Sequence, residues 1–221
     1  MPGLGLDARA WSGVLARLAG LGTLAGLGTV VLLPAMGRPA DAGADLRVEA
    51  QAARLLDLLP AEGDLVLVGH SASCSVVVEA ARHTGVVRGL VLVGPTTDPA
   101  AATWPRMVVQ WLRTASHERL WEVGVLTPQY RSTGLASMVR GMDQMRRYRT
   151  DVGVIQPSPP TRIIRGAYDR IASERWCADL AEASAASVTV VPGAGHMVPL
   201  THPQAVVDAV HSLADPVPPA R

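Results

Sequence analysis

The 221-residue sequence contains no phenylalanine, no lysine and only two cysteines. Cys74 and Cys177 stand far apart, which excludes a disulfide framework and the close ligand spacing of a structural zinc site. Each reads instead as a small buried helix residue, and a reduced, cytoplasmic chain is the expectation. All 20 basic residues are arginine, scattered among 19 acidic ones, and the net charge is only +1. No field of one sign is left to recruit nucleic acid or an anionic membrane surface. The missing Lys and Phe read as coding bias.

A convincing membrane segment is also lacking. Residues 18–36 carry no charge, but they hold Gly20, Gly22, Gly26 and Gly28 and end at Leu32-Leu33-Pro34. Glycine at that density weakens a helix. Residues 18–23 and 24–29 are the same hexapeptide, Leu-Ala-Gly-Leu-Gly-Thr, which reads as a local duplication in a loop. The expectation is no membrane association; the alternative is export or anchoring with 1–42 as a targeting segment.

What is present is a core. Hydrophobic residues make up 48% of a chain long enough for one sizeable domain. Periodicity predicts a helix over 8–19 with Trp11, Val14, Leu15 and Leu18 on one face, and a strand over 29–33 ended by Pro34. A loop over 36–45 follows. An amphipathic helix is predicted over 46–59, with Leu46, Ala50, Ala53, Leu56 and Leu59 inward and Gln51 outward. Apolar runs at 65–68 and 89–94 read as strands buried on both faces. Residues 161–165 and 187–191 are strands, 173–184 and 203–214 helices, and 215–221 a loose Pro-rich tail. Alternating strands and helices imply a doubly wound, mostly parallel α/β sheet. Residues 100–156 interrupt the alternation with helices rich in Trp, Met and Arg. They read as an excursion over the carboxyl ends of the strands, where open α/β sheets place their sites. The domains are thus 1–99 with 157–214 as core, and 100–156 as a helical cap.

Chemistry gathers at Gly69-His70-Ser71-Ala72-Ser73, between a predicted strand and a predicted helix over 74–82. A strand that becomes a helix within so few residues bends sharply and needs small flanking residues. Ser71 at the apex projects beside a helix N-terminus whose amides can hold an oxyanion. The pattern is close to a Gly-x-Ser-x-Gly nucleophile elbow, with Ser73 in place of the second glycine. A serine needs a base, and the base an orienting acid. Asp169 and His196 each follow a predicted strand, in the chain order Ser, Asp, His of the α/β-hydrolase fold. Asp98, also just past a strand end, remains the alternative acid, and His202 the rival base, though its place before Pro203 suits surface capping.

On Gly69–Ser73, Gly94-Pro95-Thr96-Thr97-Asp98-Pro99, Arg165-Gly166-Ala167-Tyr168-Asp169, Pro192-Gly193-Ala194-Gly195-His196 and His202-Pro203, the sequence resembles the α/β-hydrolase superfamily from residue 2 to about 214. The resemblance implies a serine hydrolase of esterase or C–C hydrolase type, with 100–156 as the cap between the sixth and seventh strands. It implies a second oxyanion donor, Leu4 N–H, in Pro2-Gly3-Leu4-Gly5, beside that of Ala72. His70, Trp104, Met107, Trp111, Met138 and Met142 are the candidate substrate pocket, with apolar packing as the competing reading. No cofactor or metal is expected, and the partner is a small, largely apolar ester, thioester or lactone. Strands that the family places before residue 2 lie outside the sequence. The third normally stands between 29–33 and the elbow strand, so a gap or direct pairing of those two is expected. Leu4 is then held only by the packing of Trp11 and its helix. The unpaired edges favour a homo-oligomer and feeble activity, and a noncatalytic α/β-hydrolase-like binding protein is the alternative function.

Overall fold

In Val87–Val93 (β4), Leu90 and Leu92 point to one side and Val91 and Val93 to the other, and all four are buried. A strand apolar on both faces needs a layer of helices on each, and the computed structural model, which describes residues 1–20, 28–154 and 158–214, supplies them. Four parallel strands run in the order β3-β4-β5-β6, namely Leu65–His70 (β3), β4, Thr161–Gly166 (β5) and Ser187–Val191 (β6). Ser12–Gly20 (α1), entered through a short 3-10 turn at Ala8–Trp11, and Pro203–Ala214 (α10) cover one face around Trp11, Val91, Val93 and Val207. Val48–Leu56 (α2), Ser73–Ala81 (α3) and Glu174–Ser184 (α8) cover the other, where Leu92, Ile163, Cys74 and Cys177 meet. This is the α/β-hydrolase fold: a parallel sheet flanked by helices.

Between β4 and β5 the chain runs through Trp104–Ala115 (α4), Leu120–Thr133 (α5), Leu135–Met145 (α6) and Thr150–Gly153 (α7) before returning to the sheet. After β6 a short helix, Val198–Thr201 (α9), leads into α10.

Three expectations are corrected. Residues 29–32 form no strand; Leu33–Pro34 (β1) pairs only with Gly37–Arg38 (β2), outside the main sheet. A strand needs a neighbour for its backbone N–H and C=O groups, and among the described residues none adjoins 29–32. The elbow strand is not buried on both faces, because β3 is a sheet edge and Leu65–Val68 are only half-buried. The inward face of α2 is turned: Val48, Gln51, Ala52 and Leu55 are buried, whereas Ala53 is exposed. Gln51 is tolerated inside because its Nε2 donates to Pro34 O at 2.6 Å and its Oε1 accepts from Arg54 at 2.9 Å. The duplicated hexapeptide at 18–29, the proline cluster at 156–160 and the tail at 215–221 lie partly or wholly outside the described residues. No helix among the described residues is long and apolar enough to cross a membrane.

Candidate active site

The turn from β3 into α3 begins at Gly69, where an added Cβ would lie 2.8 Å from Cys74 Cα, so only glycine admits the helix so close to the strand. Ser71 then takes φ 57°, a left-handed conformation rare for a residue with a side chain, held by its N–H donating to Val93 O at 2.8 Å. Ser73 stands where a second glycine was expected. It is fully buried, its Oγ accepting from His70 N–H at 2.8 Å and lying 2.9 Å from the carbonyls of Met1 and His70.

Two further loops leave the carboxyl ends of β5 and β6 and are laced together. Ala167 N–H donates to Val191 O and Tyr168 N–H to Ala194 O, at 3.0 and 2.9 Å. An added Cβ on Gly166 would lie 2.0 Å from Gly195 O, so the close approach of the loops requires glycine there. The lacing brings Asp169 Oδ2 2.7 Å from His196 Nδ1. Asp169 Oδ1 accepts from the N–H groups of Ile171 and Ala172 at 2.8 and 3.0 Å. Burial opposes ionisation of Asp169, but the charge and hydrogen bond of His196 and the two amides outweigh it, and the carboxyl sits below its ordinary value. Burial likewise opposes protonation of His196, yet the Asp169 carboxylate, with Glu118 acting in the same sense, holds the imidazole above its usual value. Asp98 is not beside His196: Oδ1 accepts from Ala100 N–H and Oδ2 from Ser173 Oγ. His202 stays away too, its Nδ1 on Thr201 Oγ1.

Ser71 and His196 line one cavity of about 630 Å³. No hydrogen bond joins Ser71 Oγ to His196 among the described residues. In unliganded enzymes such bonds are often long and tighten only around substrate. Leu4 lines the same cavity, and neither its N–H nor that of Ala72 donates to any acceptor among the described residues. The loop that carries Leu4 has more anchors than the packing of Trp11. Met1 is bonded through its backbone to Val68 O and His70 N–H, Gly5 N–H donates to Ala35 O at 2.9 Å, and Asp7 N–H to Gln129 Oε1 at 2.8 Å. Trp11, at 4% exposure, adds to these. His70, Trp104, Met107, Trp111, Met138 and Met142 all face this cavity.

Comparison decides the family. The sequence pattern described as the Alpha/beta hydrolase family matches residues 1–209. The chain belongs to the alpha/beta hydrolase family. Among solved structures of this fold, a hydrolase from Oleispira antarctica superposes with a TM-score of 0.73 at 15% identity, over 96% of this chain and 89% of that one. A thermophilic esterase gives 0.70 at 19% identity, over 95% and 85%. The N-formylmaleamic acid deformylase of Pseudomonas putida S16 gives 0.67 at 20%, over 95% and 89%. No curated protein matches in sequence.

Two alpha/beta hydrolase site features escaped sequence reasoning. Gly94 has φ +54°, and an added Cβ would lie 3.0 Å from Cε1 and Nδ1 of His196 and 3.2 Å from Asp169 Oδ2. It makes room for the acid–base pair. Arg165, at 4% exposure, donates from Nε to Ala172 O and from Nη2 to Asp169 O at 3.3 and 3.2 Å, bracing both ends of the Asp169 turn. The signal for Gly94 was its place just past a strand; an arginine in an apolar strand gave none for Arg165. Among the described residues no His, Cys, Asp and Glu cluster could hold a metal ion.

Proposed function

We propose that the protein is a serine hydrolase that cleaves an ester-like bond of a small to medium, largely apolar substrate. The observation that carries it is the pairing of a left-handed Ser71 with His196 in one cavity, where His196 is held by buried Asp169. In this reading His196 Nε2 takes the Ser71 proton as Oγ attacks the acyl carbon. The tetrahedral oxyanion accepts from the N–H groups of Ala72 and Leu4. Collapse expels the alcohol, which leaves with the proton from His196, and a water activated by the same imidazole then releases the acid. Asp169 orients the ring and stabilises the imidazolium without taking its proton. A serine nucleophile disfavours the Asp-dependent dehalogenase and epoxide hydrolase reactions of the superfamily. The helices over 100–156 act as the cap, and the apolar side chains of Met107, Trp111, Met138 and Met142 support an apolar acyl or alcohol group.

A noncatalytic binding protein is the second reading, favoured by the unmade bond between Ser71 Oγ and His196. A fluorophosphonate probe separates the two, because only an activated serine is labelled. We expect stoichiometric labelling of the wild-type chain, none of Ser71→Ala, and loss of p-nitrophenyl ester hydrolysis in that variant. A Ser71→Ala protein with wild-type turnover removes the proposed mechanism.

A further inference from the structure

The lining of this cavity is largely apolar, and it includes one arginine that has no partner among the described residues. Arg131, on α5 with Thr127 and Tyr130, lines the cavity and makes no hydrogen bond or ion pair among the described residues. Most of its neighbours on α4–α7 are engaged. Arg106 donates to Ala100 O, Arg140 to Asp41 O and Ala44 O, Arg146 and Arg147 to Asp143, and Arg149 to Asp151. Among the described residues Arg131 is the only arginine that lines the cavity. The single carboxylate there, Asp98, already has both oxygens occupied by Ala100 N–H and Ser173 Oγ.

Helix geometry fixes where that charge stands. Tyr130 packs over the loop that carries Leu4: an added Cβ on Gly5 would lie 2.6 Å from Tyr130 Cδ1 and from Met138 Cε. Arg131 is the next residue and shares a stripe with Thr127, one turn away. Along this wall Leu135, Met138 and Val139 continue without another charge. The side chain of Arg131 is exposed, so its guanidinium stands at the mouth while its stem adds to the apolar wall. An apolar cavity with a reactive serine at one part of its lining and a lone guanidinium at its mouth suits a substrate that is apolar between two polar ends.

Resting on the serine-hydrolase reading, we propose that the preferred substrates are acyl esters with an anionic, carboxylate-like group at the end remote from the scissile bond. Arg131 grips that group through paired N–H donors. Its exposure limits the gain: a solvated ion pair contributes less than a buried one, so about a three- to tenfold preference over a neutral isostere is expected.

Binding is measured separately from turnover. Calorimetry on the Ser71→Ala chain compares the monomethyl and dimethyl esters of adipate, suberate and sebacate, so that the spacing to Arg131 is sampled. The expected result is tighter binding of at least one monoanion than of its diester, lost in the Ser71→Ala/Arg131→Gln chain while diester affinity stays. Equal affinities, or a monoanion preference that survives Arg131→Gln, overturn the proposal. If the wild-type chain is labelled by the fluorophosphonate but shows no anion preference, the inference alone fails. If the calorimetric preference appears and no labelling does, anion recognition stands and the hydrolase reading fails.

Discussion

Both oxygens of the fully buried Asp169 carboxylate are committed, Oδ1 to two amides and Oδ2 to His196 Nδ1. The imidazole it faces is raised by that charge against the pull of burial, so the neutral, base-competent form of His196 is lost at a higher pH than for an ordinary histidine. We expect kcat/KM on a p-nitrophenyl ester to fall on the acid side with a midpoint above about 6.5, the unperturbed histidine value. In Asp169→Asn the carboxylate is gone and burial remains, so the midpoint moves down, with kcat lower by about a thousandfold or more. An unmoved midpoint in a pH–rate profile of the variant would be inconsistent with this coupling. Ser71, Asp169 and His196 stood out as candidates in the sequence because each follows a predicted strand within a few residues, in the chain order Ser, Asp, His. Arg165 was not, since only the folded turn reveals the two carbonyls it reaches.

Elements were legible where pairing is local and blurred where it depends on distant chain. β6 and α10 have the bounds that periodicity predicts, 187–191 and 203–214, because each is delimited by Pro, Gly or small residues. Residues 29–32 had a strand's composition but, among the described residues, no neighbouring strand to bond, and composition cannot register that. α2 was read with the wrong face inward because Gln51 was counted as polar. Burial of a polar side chain depends on whether an acceptor waits for it, and Pro34 O does. Gln51→Ala should leave that carbonyl unsatisfied at a cost of about 1–3 kcal/mol. For a chain of this size that is a fall in Tm of about 2–4 °C per kcal/mol, readable by thermal denaturation. An unchanged Tm would mean that water replaces the Gln51 amide there.

At the scale of the molecule, the sheet of the described residues ends at β3 on one side and β6 on the other. Leu65 N–H and Ser71 N–H donate towards β4, to Val86 O and Val93 O, whereas His70 N–H donates away from it, to Met1 O. By the alternation of a parallel ladder, the N–H groups of Val66 and Val68 also face away. Such an edge is a template for another strand. We expect concentration-dependent self-association in analytical ultracentrifugation, reduced by Val66→Pro, since proline there removes no bond to β4 yet blocks an incoming strand. Association that persists in Val66→Pro would move the contact to β6.

The cavity has two halves of different ancestry in the chain. Trp104, Met107, Trp111, Met138 and Met142 all come from the helices between β4 and β5, whereas Ser71 and His196 come from strand ends. That interval departs from the sheet once, after Val93, and rejoins it once, at Thr161. Two splice points therefore separate the helical half of the lining from the half that holds the Asp–His pair. A swap of this interval between relatives would exchange selectivity as a cassette and leave the bonds among Ala167, Tyr168, Val191 and Ala194 untouched.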